Sequence, residues 1–104
     1  MGKNINHLLR QAQQMQQKMG ALQKELEQRE LDVSSGGGAV KIKINGKQEL
    51  ISIELSKECL ESNDKELIEQ TLLTAINQAI KESQSMVSSA MSKVTGGLNI
   101  PGLM

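Results

Sequence analysis

Apolar residues recur three and four positions apart from Ile5 to Leu26: Ile5, Leu8, Ala12, Met15, Met19, Leu22 and Leu26 make an unbroken heptad seam. That spacing keeps one stripe on one side of a helix, so it predicts a long N-terminal helix over residues 4–30 with a partner along the seam. Asn4 and Asn6 are both candidate caps for its start. Gly20 lies beside the seam, either as a simple weak spot or as a place where another backbone comes close. At Leu31 the period drops to two. Leu31 and Val33 alternate with Asp32 and Ser34, Gly36-Gly37-Gly38 breaks the run, and Val40, Ile42 and Ile44 then face away from Lys41 and Lys43. Asn45-Gly46 predicts a hairpin with a type I′ turn. Across a two- or four-residue loop, Ile51, Ile53 and Leu55 return on the face of Val40, Ile42 and Ile44. Residues 31–55 therefore read as a three-stranded antiparallel meander with one buried face.

Helical periodicity returns after a helical turn at Ser56–Leu60. Asn63 stands three residues before Glu66, a capping-box spacing, with Asp64 in the first turn where the helix dipole favours an anion. Leu67, Ile68, Leu72, Ala75, Ile76, Ala79, Ile80, Met86, Val87, Ala90, Met91 and Val94 trace a broad stripe up to Gly96-Gly97, predicting a second helix over 64–95. Residues 96–104, with Pro101-Gly102, read as a flexible tail carrying a few apolar anchors. At 1.5 Å per residue the two helices are ~37 and ~45 Å long. A compact chain of this size is only about 33 Å across. Both helices must overrun the body, and their free ends must pack on each other or on a second subunit.

Composition sharpens that picture. The 104 residues contain no Phe, Tyr or Trp and are 38% apolar, so the core is aliphatic, with methionine, and thin for one small domain. A second copy would supply the missing burial. The expected architecture is thus a single α+β domain over 1–104: long N-terminal helix, three-stranded antiparallel meander, long C-terminal helix, dimeric with projecting helical arms.

Catalysis and metal chemistry find little to work with. His7 and Cys59 are the only histidine and cysteine, and they fall in different elements. Their spacing suggests neither a nucleophile–base pair nor a ligand set. Cys59 reads as a small buried apolar residue. The Gly36–Gly38 run lacks the Lys-Ser/Thr that closes a phosphate-binding loop and precedes a strand, not a helix. No catalytic residue, cofactor, metal or small-molecule substrate is expected. Without a signal peptide or an apolar run near 18 residues, the chain reads as cytoplasmic and not membrane-bound.

Charge adds one more feature. The chain is neutral overall, with twelve cations and twelve acids, but the acids are all confined to residues 25–82, where they meet seven cations. Lys3, Arg10, Lys18 and Lys24 occupy an acid-free N-terminal stretch, and Lys93 an acid-free C-terminal one. Glutamines 11, 13, 14, 16, 17 and 23 and serines 83, 85, 88, 89 and 92 surround these cations. With no aromatic side chain to stack on bases, single-stranded recognition is disfavoured. What remains is double-stranded DNA held mainly through its phosphates, with Lys3, Arg10, Lys18, Lys24 and Lys93 as candidate contacts. A second reading stays open: a helical protein-interaction module that uses the seam and its soft methionines without touching DNA.

The run Gln11-Ala12-Gln13-Gln14-Met15-Gln16-Gln17-Lys18-Met19, followed by Gly37-Gly38-Ala39-Val40-Lys41-Ile42-Lys43-Ile44-Asn45-Gly46, resembles the YbaB/EbfC family of bacterial nucleoid-associated proteins. Ala75-Ile76-Asn77-Gln78-Ala79 and the Pro101-Gly102 tail follow in the same order and at similar distances. The resemblance implies a homodimer with paired helical arms. It also implies DNA binding in the nucleoid of the cytoplasm, with effects on DNA conformation and gene expression.

Overall fold

The first helix, α1, spans Gly2–Gln28, so Asn4 and Asn6 lie inside it and neither caps its start. The computed structural model describes residues 2–96 and the side chains of 5–94, and the tail expected at its far end lies outside these apart from Gly96. Helix α1 ends where the Arg29 N–H turns back to the Leu26 carbonyl at 3.1 Å, and Glu30 already pairs with Asn45. Strands β1 (Glu30–Ser35), β2 (Val40–Asn45) and β3 (Leu50–Leu55) form one antiparallel sheet in that order. A short helix, α2 (Lys57–Glu61), is capped by the Ser56 hydroxyl, which accepts from the Cys59 N–H at 3.1 Å. Helix α3 (Lys65–Gly96) closes the described chain. This is the expected α+β order. The extents, 73 × 25 × 15 Å, and a radius of gyration of 20.4 Å match helices that outrun the sheet.

Three local details differ from the sequence pattern. The Asn45-Gly46 pair does not make a type I′ turn. The loop has four residues, its positive φ falls on Gln48 at 61°, and Asn45 organises it through its side chain. The Asn45 Oδ1 accepts from Lys47 N–H at 2.9 Å and Glu49 N–H at 3.1 Å. Gly46 is needed for room: a Cβ there would land on the Leu26 carbonyl of α1. Close backbone approach is therefore found at Gly46 and not at Gly20, around which a Cβ would meet nothing. At the start of α3 the cap is shifted by one residue. Asp64 Oδ1 accepts from Leu67 N–H at 3.1 Å, while Asn63 turns the chain with φ of 55°.

The buried face covers two strands, not three. Val33, Val40, Ile42, Ile44, Ala75 and Ala79 form the core, with α3 lying over β1 and β2. A bulge shifts the β2–β3 register: Lys43 pairs with Ser52 but Ile44 with Leu50, leaving Ile51 as the extra residue. Ile51 and Ile53 are each 47% exposed, because α3 does not extend over β3.

Candidate nucleic-acid interface

Helices α1 and α3 run away from the sheet together, and one joint connects them at their base. Ser83, fully buried on α3, donates to the Asn45 carbonyl at 2.6 Å. The Gln48 amide donates to Ser83 Oγ at 3.2 Å and to the Gly46 carbonyl at 2.9 Å. Gly46 in turn lies against the end of α1, and Lys47 Nζ reaches Glu27 at 4.0 Å. The hairpin loop thus ties the base of α1 to the middle of α3. This excludes Ser83 from any DNA contact, contrary to the polar role its sequence position suggests. Asn45 and Gln48 are absent from the candidates read from sequence, and Ser83 stood there only as a polar neighbour of the cations. The available signal was a serine on the apolar stripe, four residues after Ala79 and three before Met86.

Beyond the joint the two helices form an arm. The α1 seam is buried at Leu26, half-buried at Leu22, Met19 and Met15, and open at Ala12, Leu8 and Ile5. On α3, Met86, Val87, Ala90, Met91 and Val94 are half-buried along the same face. The seam's partner is therefore α3 of the same chain along the inner part of the arm.

Turning the seam toward α3 fixes where the cations go. At about 100° per residue, Arg10, Lys18 and Lys24 fall in a sector about 120° wide centred opposite the seam. All three are exposed. They form a row ~21 Å long on the outer face of the arm, since fourteen helical steps of 1.5 Å separate Arg10 from Lys24. Gln14 and Gln17 lie in the same row by the same geometry. Lys93 is exposed on the neighbouring helix, at the flank of its stripe and outside that row. The Lys3 side chain lies outside the described residues.

Electrostatics separates arm from body. Among the described residues, Arg10, Lys18, Lys24 and Lys93 make no ion pair; in the body Arg29, Lys43, Lys47 and Lys65 each approach a carboxylate within 2.9–4.0 Å, while Lys41, Lys57 and Lys81 do not. The body also carries every acid of the chain, from Glu25 to Glu82. The opposite face of the sheet, lined by Asp32, Ser34, Lys41, Lys43, Ser52 and Glu54, is open but mixed in sign. His7 is exposed on the arm, 3.3 Å from the Gln11 amide, while Cys59 is buried in the body. Among the described residues no group of three or more His, Cys, Asp or Glu could hold a metal ion. No helix there is long and apolar enough to cross a membrane.

Residues 1–98 match the family model described as the YbaB/EbfC DNA-binding family. A nucleoid-associated protein of Thermoanaerobacter pseudethanolicus is 46% identical over 98% of this chain and 92% of its own. One from Desulforamulus reducens is 48% identical over 99% and 98%. Among solved structures, an uncharacterized protein from Helicobacter pylori shares the fold with a TM-score of 0.68 at 24% identity, covering 88% of this chain and 92% of that one.

Proposed function

The chain belongs to the YbaB/EbfC DNA-binding family, and on that premise we propose that it is a nucleoid-associated protein that binds double-stranded DNA as a homodimer through phosphate contacts from its arms. The observation that carries this reading is the row Arg10, Lys18 and Lys24: exposed, unpaired among the described residues and preceded by no acid, the first being Glu25 at the base of the arm. Unpaired cations give up no partner when they meet phosphate. Lys3 and Lys93 add to the same arm, and Gln14 and Gln17 can donate to phosphate oxygens between the cations.

Dimerisation supplies the rest. Five cations per chain make about ten per dimer, comparable to the six to ten phosphates that an ordinary binder neutralises. The second copy would cover Ile51 and Ile53 on β3 and Leu73 on α3, large apolar side chains left exposed on one chain. Two arms on one duplex would bend or stiffen it, which is how binding without base reading alters DNA conformation and, through it, gene expression. The nucleoid is then the place of action.

Duplex binding measured against salt tests the proposal, for the unaltered protein and a variant with Arg10, Lys18, Lys24 and Lys93 changed to Gln. Expected are low-salt affinity, a steep fall of log affinity with log salt, and a much shallower fall in the variant, by about 0.9 for each phosphate it no longer neutralises. Absent low-salt binding, or an unchanged slope in a variant that still sediments like the parent, would refute it. The exposed Ile5, Leu8 and Leu9 at the arm's tip favour the second reading, docking of a partner helix without DNA.

A further inference from the structure

The packing stripe of the arm is half methionine. Beyond the joint it consists of Leu22, Met19 and Met15 on α1 and of Met86, Val87, Ala90, Met91 and Val94 on α3, four methionines in eight positions. Of the six methionines in the chain, these four are the ones whose side chains are described, and the described body has none. All four are half-buried. Val87 and Gln23 line one cleft with Leu26 and the hairpin loop. Met91, one turn farther along α3, therefore comes level with about Met19, one turn farther along α1. Thioethers stand on both sides of the same seam. An unbranched, polarisable side chain fills such a seam well, and its sulfur is also open to oxidation. Half-burial suits both properties, because a sealed sulfur would be shielded and a free one would carry no packing.

We propose that Met15, Met19, Met86 and Met91 are a modification site for hydrogen peroxide in the folded protein, and that their sulfoxides part α1 from α3 along the arm while the body stays folded. At each sulfur a lone pair attacks one peroxide oxygen. The S–O bond forms as the O–O bond breaks, and the proton of the transferred oxygen leaves with hydroxide as water. Sulfur gives up two electrons and peroxide takes them. A polar, chiral sulfoxide in place of each thioether draws water into the seam, and the burial that joins the two helices is lost. The body is spared because its described residues include no methionine and Cys59, the one cysteine, is buried there. A dithiol-dependent sulfoxide reductase reverses the change: two thiols become a disulfide and the oxygen leaves as water. Arg10 and Lys18 ride on the stretch of α1 that this seam holds, so the cationic row moves with it, and the inference stands whether or not that row binds DNA.

Peroxide treatment of the full chain, followed by peptide masses and amide hydrogen exchange, tests it against a variant with Met15, Met19, Met86 and Met91 changed to Leu, which nearly conserves volume. Each of the four should gain one oxygen in the folded chain. Amides of residues 12–24 and 84–94 should then exchange about tenfold faster, with those of Val40–Asn45 unchanged. Methionine sulfoxide reductases A and B with dithiothreitol should restore the slow exchange. The variant, which keeps Met1, Cys59 and Met104, should show no peroxide effect in either helix. Four thioethers left intact at a dose that oxidises them in the urea-unfolded chain would overturn the inference. So would sulfoxides that leave exchange in the arm unchanged, or acceleration that spreads to Val40–Asn45. The same acceleration in the Leu variant would assign the effect to another group and overturn it as well.

Discussion

The body and the arm are built from the same two helices, yet they solve opposite problems. In the body, α3 lies on β1 and β2 and buries Ala75 and Ala79 against Val33, Val40, Ile42 and Ile44, and all the acids of the chain lie between Glu25 and Glu82. In the arm, the same helix meets only α1, burial along the α1 seam falls off toward the tip, and the cations are left without carboxylates. Burial holds the body together, and that leaves the arm's charges for a partner. A helix can serve both ends because a packing stripe uses one side only, and its other side is free to carry charge.

The sharpest contrast comes from truncating one apolar side chain in each region. Ile42→Ala, in the closed core, should cost about 4 kcal/mol in urea unfolding. Leu8→Ala at the tip should cost well under half as much, and equal destabilisation would mean that the arm is as closely packed as the body. Next in size is the joint between them. Gly46→Ala places a methyl on the Leu26 carbonyl, backbone against backbone, and should destabilise by about 3 kcal/mol in thermal unfolding. Gly20→Ala, with open space and a helical backbone, should instead stabilise by up to about 1 kcal/mol.

Ser83→Ala leaves the Gln48 amide and Asn45 carbonyl each short of a partner at a part-buried site, and should cost about 1.5 kcal/mol. If the joint directs the arm, the variant should also change the scattering-derived radius of gyration; an unchanged radius would mean that helix packing alone sets the direction. The smallest effect on stability belongs to Arg10→Gln, expected within about 0.5 kcal/mol because the side chain is exposed and unpaired. The same change should lower the salt slope of duplex binding by about 1 for each phosphate that Arg10 neutralises. A stability change larger than that would show that the outer row has a structural role.

Much of this division is written in residue order. The heptad from Ile5 to Leu26, the alternation at Val40–Ile44 and the stripe of α3 each depend on local geometry, in which a side chain's direction follows from its position along one element. Those patterns were enough for the order of elements, and helix length against body size was enough for the overhang. The confinement of acids to residues 25–82 also needed no coordinates. The candidate row on α1 was legible for the same reason, since seam and cations share one helix and their angular separation follows from counting.

What could not be read was everything that depends on two elements meeting. Asn45-Gly46 looks like a type I′ turn, but a carbonyl from α1 occupies the space beside Gly46, and the positive φ moved to Gln48. Ser83 looks like one more polar residue of a serine-rich helix, but the hairpin loop lies against it and makes it a buried tie. Ile51 and Ile53 carry the same alternation as Ile42 and Ile44, yet α3 has width enough to cover two strands and leaves the third open. Local periodicity assigns each side chain to a face of its own element. Whether that face is covered, and by what, is set by distances between segments far apart in the chain.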